Sequence, residues 1–247
     1  MPSIFITGAA GGLGRAVAEK FYAAGWTVGA YDLAALDDER FVCGHLDVRD
    51  PDSWEAALQD FVSRSGGSID VVDNNAGLII DGPLVDADPA AIQQVISVNA
   101  TGISLGARAA YRYLRASRGH LVNMASASAI YGQPGIAVYS ATKFYVAGLT
   151  EALNLEWRDD NIRVVDLWPL WAQTSLADNG AASVRRLGVR ITPEQVADTV
   201  FTAVHPRSRW ARGKVHYGVS AMDKAMYLSR SLAPDRLVGL LTRKIAG

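Results

Sequence analysis

One cysteine stands in the 247 residues, Cys43 in "RFVCGHLDV". It can close no intrachain disulfide and has no companion thiol, so it reads as a small buried hydrophobe rather than part of a scaffold or zinc centre. Metal-ligand spacing is missing as well. His45, His120, His205 and His216 are scattered, and no metal is expected. Charge of one sign is absent: 24 Lys and Arg against 25 Asp and Glu leave a net −1, with only short basic clusters, which excludes an electrostatic case for nucleic acid. The opening "MPSIFITGAAGG" lacks a charged stretch followed by a long apolar run, so no secretory signal is predicted and a cytoplasmic location is the expectation. There is no low-complexity tract, internal repeat or linker. With 49% apolar and 20% charged residues, the chain reads as one globular domain over 1–247.

What is present is alternation. Short β-branched runs at 3–7, 27–32, 41–46, 69–73, 120–125, 162–168 and 214–219 are separated by longer helical patterns, the signature of βαβ units. Seven such strands predict an α/β doubly wound fold around a seven-stranded parallel sheet. Helix starts are marked at Asp50-Pro51, Asp88-Pro89 and Thr192-Pro193, each a capping side chain before Pro, and Gln195 completes a capping box with Thr192. From Ala221 to Ile245 two short amphipathic segments meet at Pro234. This tail, 220–247, reads as a surface or subunit-packing helix; a membrane-surface or lid role is the alternative, and membrane contact is not expected.

"ITGAAGGLG" follows the first strand directly and opens a helix. Gly8, Gly12 and Gly14 suit a turn whose backbone passes close to a pyrophosphate, with the helix N-terminus aimed at that anion. The spacing is T-G-x-x-x-G-x-G, and with it the chain resembles the short-chain dehydrogenase/reductase family of NAD(P)-dependent oxidoreductases, whose Rossmann fold and length also match. Asp32 closes the second strand, where a carboxylate accepts hydrogen bonds from an adenosine ribose and repels a 2′-phosphate. Gly11 sits where many NADP-using relatives carry a basic residue. NAD is therefore expected over NADP, with Arg15 as the counter-evidence. The resemblance further implies cofactor contacts from Leu13, from Asp47 and Val48 of "LDV", and from Asn75, Ala76 and Gly77 of "DNNAG". Asp73 departs from the usual apolar residue. A buried carboxylate needs donors, so a structural role with a local partner or turn is expected for it.

The chemistry is concentrated in "MASASAIYGQPGIAVYSATKFYVAGLTEAL". Tyr139 and Lys143, four apart at a helix start, share one face, and Ser126 ends the fifth strand at the sheet edge where ligands bind. A free phenol has a pKa of about 10 and is sluggish near neutrality, so an ammonium neighbour should draw it down. By resemblance Tyr139 is the general acid/base, Lys143 also binds the nicotinamide ribose, and Ser126 holds the substrate oxygen as charge develops. Asn99, in "SVNATG" within the helical pattern 89–115, matches the family's fourth catalytic position, a water-linked proton relay to Lys143. The complete set argues for an enzyme over the rival reading, an NAD(H)-binding sensor or scaffold.

The sixth strand runs into "LWPLWAQTSL". Pro169 and Thr174 match family positions around the nicotinamide, but Leu170 replaces the family's glycine, which predicts a small loop shift or added bulk beside the nicotinamide, with ordinary torsions that tolerate the side chain as the alternative. Substrate contacts are expected from Ser126, Ile130, Tyr131 and Trp171, with 170–190 as the substrate loop and Arg185 and Arg186 on its solvated face. Trp168 should pack with its strand. The mostly apolar set implies an apolar secondary alcohol or ketone as substrate. Relatives pair through the helices holding Asn99 and Tyr139, so a homo-oligomer, dimer or tetramer, is expected.

Overall fold

The computed structural model describes residues 1–177 and 180–232; the part of the tail beyond Leu232 lies outside them. The seven strands are β1 Ser3–Thr7, β2 Thr27–Asp32, β3 Val42–His45, β4 Val71–Asn74, β5 His120–Met124, β6 Arg163–Leu167 and β7 His216–Tyr217. They form a single parallel sheet in the order β3-β2-β1-β4-β5-β6-β7. Order reverses between β1 and β4, and a crevice opens outside the strand ends at such a switch point.

Both faces of the sheet are covered, which is why β1 is buried at all five positions instead of alternating. On one face Ile4, Ile6, Val28, Val71 and Val122 pack with Val17 and Phe21 of α1 (Gly12–Ala23). On the other, Phe5, Val72 and Leu121 meet Trp54, Leu58 and Phe61 of α2 (Pro51–Ser65). The next helices are α3 Pro89–Ile96, α4 Ile103–Ser117 and α5 Ala137–Glu156. Then come α6 Ala182–Leu187, α7 Pro193–Val204, α8 Arg209–Arg212 and α9 Ala221–Leu232. The side chains of Asp50 and Asp88 accept from Asp52 N and Ala90 N, and Thr192 and Gln195 form the reciprocal capping box.

Three local expectations are corrected. The last strand shrinks from 214–219 to His216–Tyr217, an edge strand ended by Gly218, whose added Cβ would lie 2.9 Å from Asp223 Oδ1. The helical pattern 89–115 is interrupted by a π-helical turn at Ser97–Gly102 that carries Asn99. Asp73 finds no donor: it lies in β4 between Ile6 and Val122, wholly buried, and neither carboxylate oxygen has a hydrogen-bond partner. Burial alone pushes its carboxyl up to about 8.

Candidate active site

A cavity of about 500 Å³ runs along the C-terminal ends of the strands. Its first half is built by the glycine turn. Gly12 has φ +54, and an added Cβ at Gly14 would stand 2.3 Å from Gly8 O, so only hydrogen fits there. No side chain caps the N-terminus of α1, whose Gly12 and Leu13 line the cavity together with Gly8. A diphosphate fits this cradle: bare backbone, free N–H groups and the positive end of a helix. Gly14 supports the turn from below and does not line the cavity.

Asp32 stands at the far wall. Its carboxylate accepts from Ala10 N at 2.9 Å and Ala34 N at 3.0 Å, which staples the glycine turn to the loop after β2. Asp47 and Val48 line the same end, with Asp47 gripped by Arg49 at 2.6 Å. Asn75, Ala76 and Gly77 line the middle. Asn75 Nδ2 donates to Thr7 O and Gly8 O, while the Thr7 hydroxyl accepts from Asn75 N and Ala76 N, each at 3.0 Å. Thr7 is thus the organiser of this segment, visible in the sequence only as the first letter of the glycine motif.

At the other end Ser126, Tyr139 and Lys143 converge on the cavity. Ser126 lies two residues beyond β5, where its Oγ accepts from Ser128 N at 3.1 Å and opens a short 3-10 turn. Its Oγ also lies 3.5 Å from Pro169 O, to which it donates, and its side chain pulls the Tyr139 phenol downward. Lys143, one turn along α5 and buried, donates to Met124 O at 2.6 Å, and its Nζ lies 5.4 Å from the Tyr139 ring centroid. Burial dominates both groups, raising the phenol to about 12 against the pull of Ser126 and lowering the ammonium to about 8. The expected drop of Tyr139 under Lys143 is not seen, because the ammonium points at a backbone carbonyl rather than at the phenol oxygen.

Asn99 is buried behind Lys143 and does not line the cavity. Its amide is fully engaged: Oδ1 accepts from Leu78 N at 2.8 Å, and Nδ2 donates to Leu78 O at 2.8 Å and Thr142 Oγ1 at 3.1 Å. It therefore fixes the segment after Gly77 against α5. Thr142 and the Met124 carbonyl were not singled out in the sequence. Thr142, between Tyr139 and Lys143, had its position as a signal; a backbone acceptor leaves none.

The wall beyond is formed by Pro169, Leu170, Trp171 and Thr174. Leu170 has ordinary torsions, since the positive-φ residues other than glycine among those described are Arg118 and Asn161. Its side chain packs against both neighbouring core clusters, so the replacement of glycine is absorbed as bulk. Thr174 leans over the glycine turn, its Cγ2 3.3 Å from where a Gly12 Cβ would stand. Trp171 packs with Ile136, Tyr139 and Val184 of α6, and its Nε1 donates to the buried Ser183 Oγ at 3.0 Å. Trp168 is buried with its strand, as expected. Ile130 and Tyr131 are not brought to the cavity: the 3-10 turn after Ser126 swings them outward, where Ile130 is buried beside Trp168 and the Tyr131 hydroxyl donates to Met226 O. Gln133 lines the cavity instead, its Nε2 donating to Ser128 Oγ at 3.1 Å.

The family model described as short chain dehydrogenase matches residues 2–183. A 3-alpha-(or 20-beta)-hydroxysteroid dehydrogenase of Mycobacterium bovis is 31% identical over 223 residues, covering 84% of each chain. A meso-2,3-butanediol dehydrogenase of Serratia marcescens is 30% identical over 210 residues, 78% of this chain and 83% of the relative. Among solved structures, a 3-ketoacyl-(acyl-carrier-protein) reductase from Brucella melitensis complexed with NADH superposes with a TM-score of 0.77 at 25% identity, covering 88% of this chain and 96% of that one. With the glycine turn, the Ser126, Tyr139 and Lys143 cluster and a matched span of this length, the chain belongs to the short-chain dehydrogenase family of NAD(P)-dependent oxidoreductases.

Proposed function

We propose that the protein interconverts an apolar secondary alcohol and its ketone, with NAD as the coenzyme. The observation that carries this reading is the convergence of Ser126, Tyr139 and Lys143 on one end of a cavity whose other end is the glycine turn and Asp32. Bound nicotinamide supplies the hydride acceptor or donor. In oxidation the deprotonated Tyr139 oxygen would take the alcohol proton, and in reduction the protonated phenol would return one to the carbonyl oxygen. Ser126 donates to that oxygen as its charge grows, and Lys143 is placed to hold a ribose hydroxyl. NAD is favoured because Asp32 is a fixed carboxylate at the adenosine end. Apolar substrates are favoured because Leu170, Trp171, Leu176 and Ala177 supply the wall beyond Ser126. Both curated relatives named above act on substrates bearing a hydroxyl, in agreement with this class.

The same reading includes a homo-oligomer. Ala137, Ala141, Tyr145, Gly148, Ala152 and Leu155 form an exposed, uncharged stripe along α5 at spacings of four or three, bordered by the exposed Glu151.

The test is Tyr139→Phe, followed spectrophotometrically with a panel of secondary alcohols and ketones and both dinucleotides. Turnover should fall at least about a thousandfold, as expected for loss of a general acid/base that also positions the substrate oxygen, while NADH binding persists. Retained turnover would refute the role of Tyr139, and a preference for NADP would refute the reading of Asp32.

A further inference from the structure

Two guanidinium groups meet at the loop that follows Asp32, and one carboxylate holds both. Asp38, in the loop between β2 and β3, accepts from Arg15 Nη2 at 2.5 Å and from Arg40 Nη2 at 2.8 Å, Arg40 Nε at 3.0 Å and Arg40 N at 3.0 Å. Glu19 takes what remains, accepting from Arg15 Nε at 2.9 Å and lying 3.4 Å from Arg40 Nη2. Both guanidinium carbons lie 5.1 Å from the Phe41 ring centroid. The Asp38 side chain is 13% exposed, against 27% for Arg15 and 43% for Arg40. The hydrogen bonds from Arg40 and Arg15 also hold its carboxyl far below the usual carboxylate range.

The position of Arg15 gives this network a consequence. Arg15 lies four residues after Gly11, one turn along α1, and its N–H donates to Gly11 O at 3.2 Å. Gly11 lines the cavity, and nothing lies within 4 Å of where its Cβ would be. Side chains four apart on a helix share a face and lean toward its N-terminus, so an arginine here is within reach of the space over Gly11 and beside Asp32. That space is where a phosphate on the adenosine ribose would seat, if Asp32 marks the ribose hydroxyls.

We infer that Asp38 is a second determinant of coenzyme choice, a positioning residue that withholds Arg15 from a ribose 2′-phosphate while Asp32 repels the phosphate directly. The inference rests on the NAD reading above and deepens it. Removing Asp32 alone takes away a repulsion but supplies no cation. Removing Asp38 as well releases a guanidinium that is always charged and matches phosphate geometry. With Asp32 in place the freed guanidinium has that carboxylate to pair with, and only when both are removed is it left to the phosphate, so the two changes are coupled rather than independent.

Calorimetry on the full chain tests this with NAD, NADP and 2′,5′-adenosine diphosphate as probes, using the unmutated protein, Asp32→Ala, Asp38→Asn, the double variant, and the double variant with Arg15→Gln added. The double variant should bind NADP and 2′,5′-adenosine diphosphate about 10-fold more tightly than the product of the two single effects, the size of one charge-assisted contact. Adding Arg15→Gln should remove that excess. Damage to the loop would weaken binding and cannot produce a gain. Additive single effects, or a gain that survives Arg15→Gln, overturn the role of Asp38. If the unmutated chain already binds NADP as well as NAD, the NAD reading fails; the coupling measured with 2′,5′-adenosine diphosphate still decides the Asp38 inference either way.

Discussion

Asp73 places a carboxyl between Ile6 and Val122, where the flanking strands offer hydrocarbon and no donor. With a folded-state value near 8 against 3.8 for the ordinary carboxyl, the folded chain keeps a proton that the unfolded chain releases between about pH 4 and pH 8. Stability is then highest on the acid side and falls as pH rises through that window. Asp73→Val should flatten the slope in urea titrations between pH 5 and pH 8 and add about 1–3 kcal/mol at the alkaline end, the cost of an unpaired buried polar group. An unchanged slope would mean that Asp73 finds a partner in solution. The sequence marks Asp73 as anomalous, but solvation at a single strand position depends on what the neighbouring strands bring, which no local pattern encodes. Gly14 is the opposite case, since its need for glycine follows from the motif and is met by Gly8 O at 2.3 Å from an added Cβ. Gly14→Ala should abolish dinucleotide binding in calorimetry, whereas Gly11→Ala, with nothing within 4 Å, should leave it within about twofold, since alanine costs less than glycine at an unhindered position.

Elements were legible by period and punctuation, and blurred where tertiary contacts overrode both. The capped starts at Pro51, Pro89 and Pro193 fall where side chains and proline place them. The π-helical turn at Ser97–Gly102 does not, because one extra residue in a turn leaves the hydrophobic period nearly intact; it persists because Asn99 is committed to Leu78 and Thr142. The short edge strand β7 is held by a side chain as well as by its ladder. His216 Nδ1 lies 2.7 Å from the wholly buried Asp166 Oδ1 and Nε2 lies 2.9 Å from Glu151 Oε1, joining β6, β7 and α5. Burial works against the imidazolium, yet the two carboxylates outweigh it and the net shift is upward. Its stabilisation is thus full below the ordinary histidine value and is lost as pH rises through the raised one. His216→Phe keeps a ring beside Trp168 but leaves Asp166 unpaired, and should cost about 3–5 kcal/mol in urea unfolding. Adding Asp166→Leu should recover most of that loss. A double variant as unstable as the single would show that packing, not charge, pins the edge.

At the scale of the whole molecule, the fold and the placement of the site at the strand ends could be read from strand–helix alternation and a few motif letters, because a parallel sheet with short connections admits few arrangements. The direction taken by the chain after Ser126 could not, and Ile130 and Tyr131 consequently lie away from the cavity while Gln133 lines it. The apolar stripe on α5 extends the same logic outward. Ala141, Tyr145, Gly148 and Ala152 lie exposed on a helix whose opposite face carries Tyr139 and Lys143, so a surface that self-associates would brace the catalytic helix from behind. Gly148 is the sharpest probe of it, because nothing lies within 4 Å of an added Cβ and glycine is a poor residue for a helix interior. Within one chain Gly148→Arg should stabilise α5 by about 0.5–1 kcal/mol. Between chains it would set a long cation into a closely packed, symmetric contact that meets its own copy. Light scattering after gel filtration should therefore show the unmutated protein as a dimer or tetramer and Gly148→Arg as a folded monomer with unchanged circular dichroism. The same mass for both would place any association on another face.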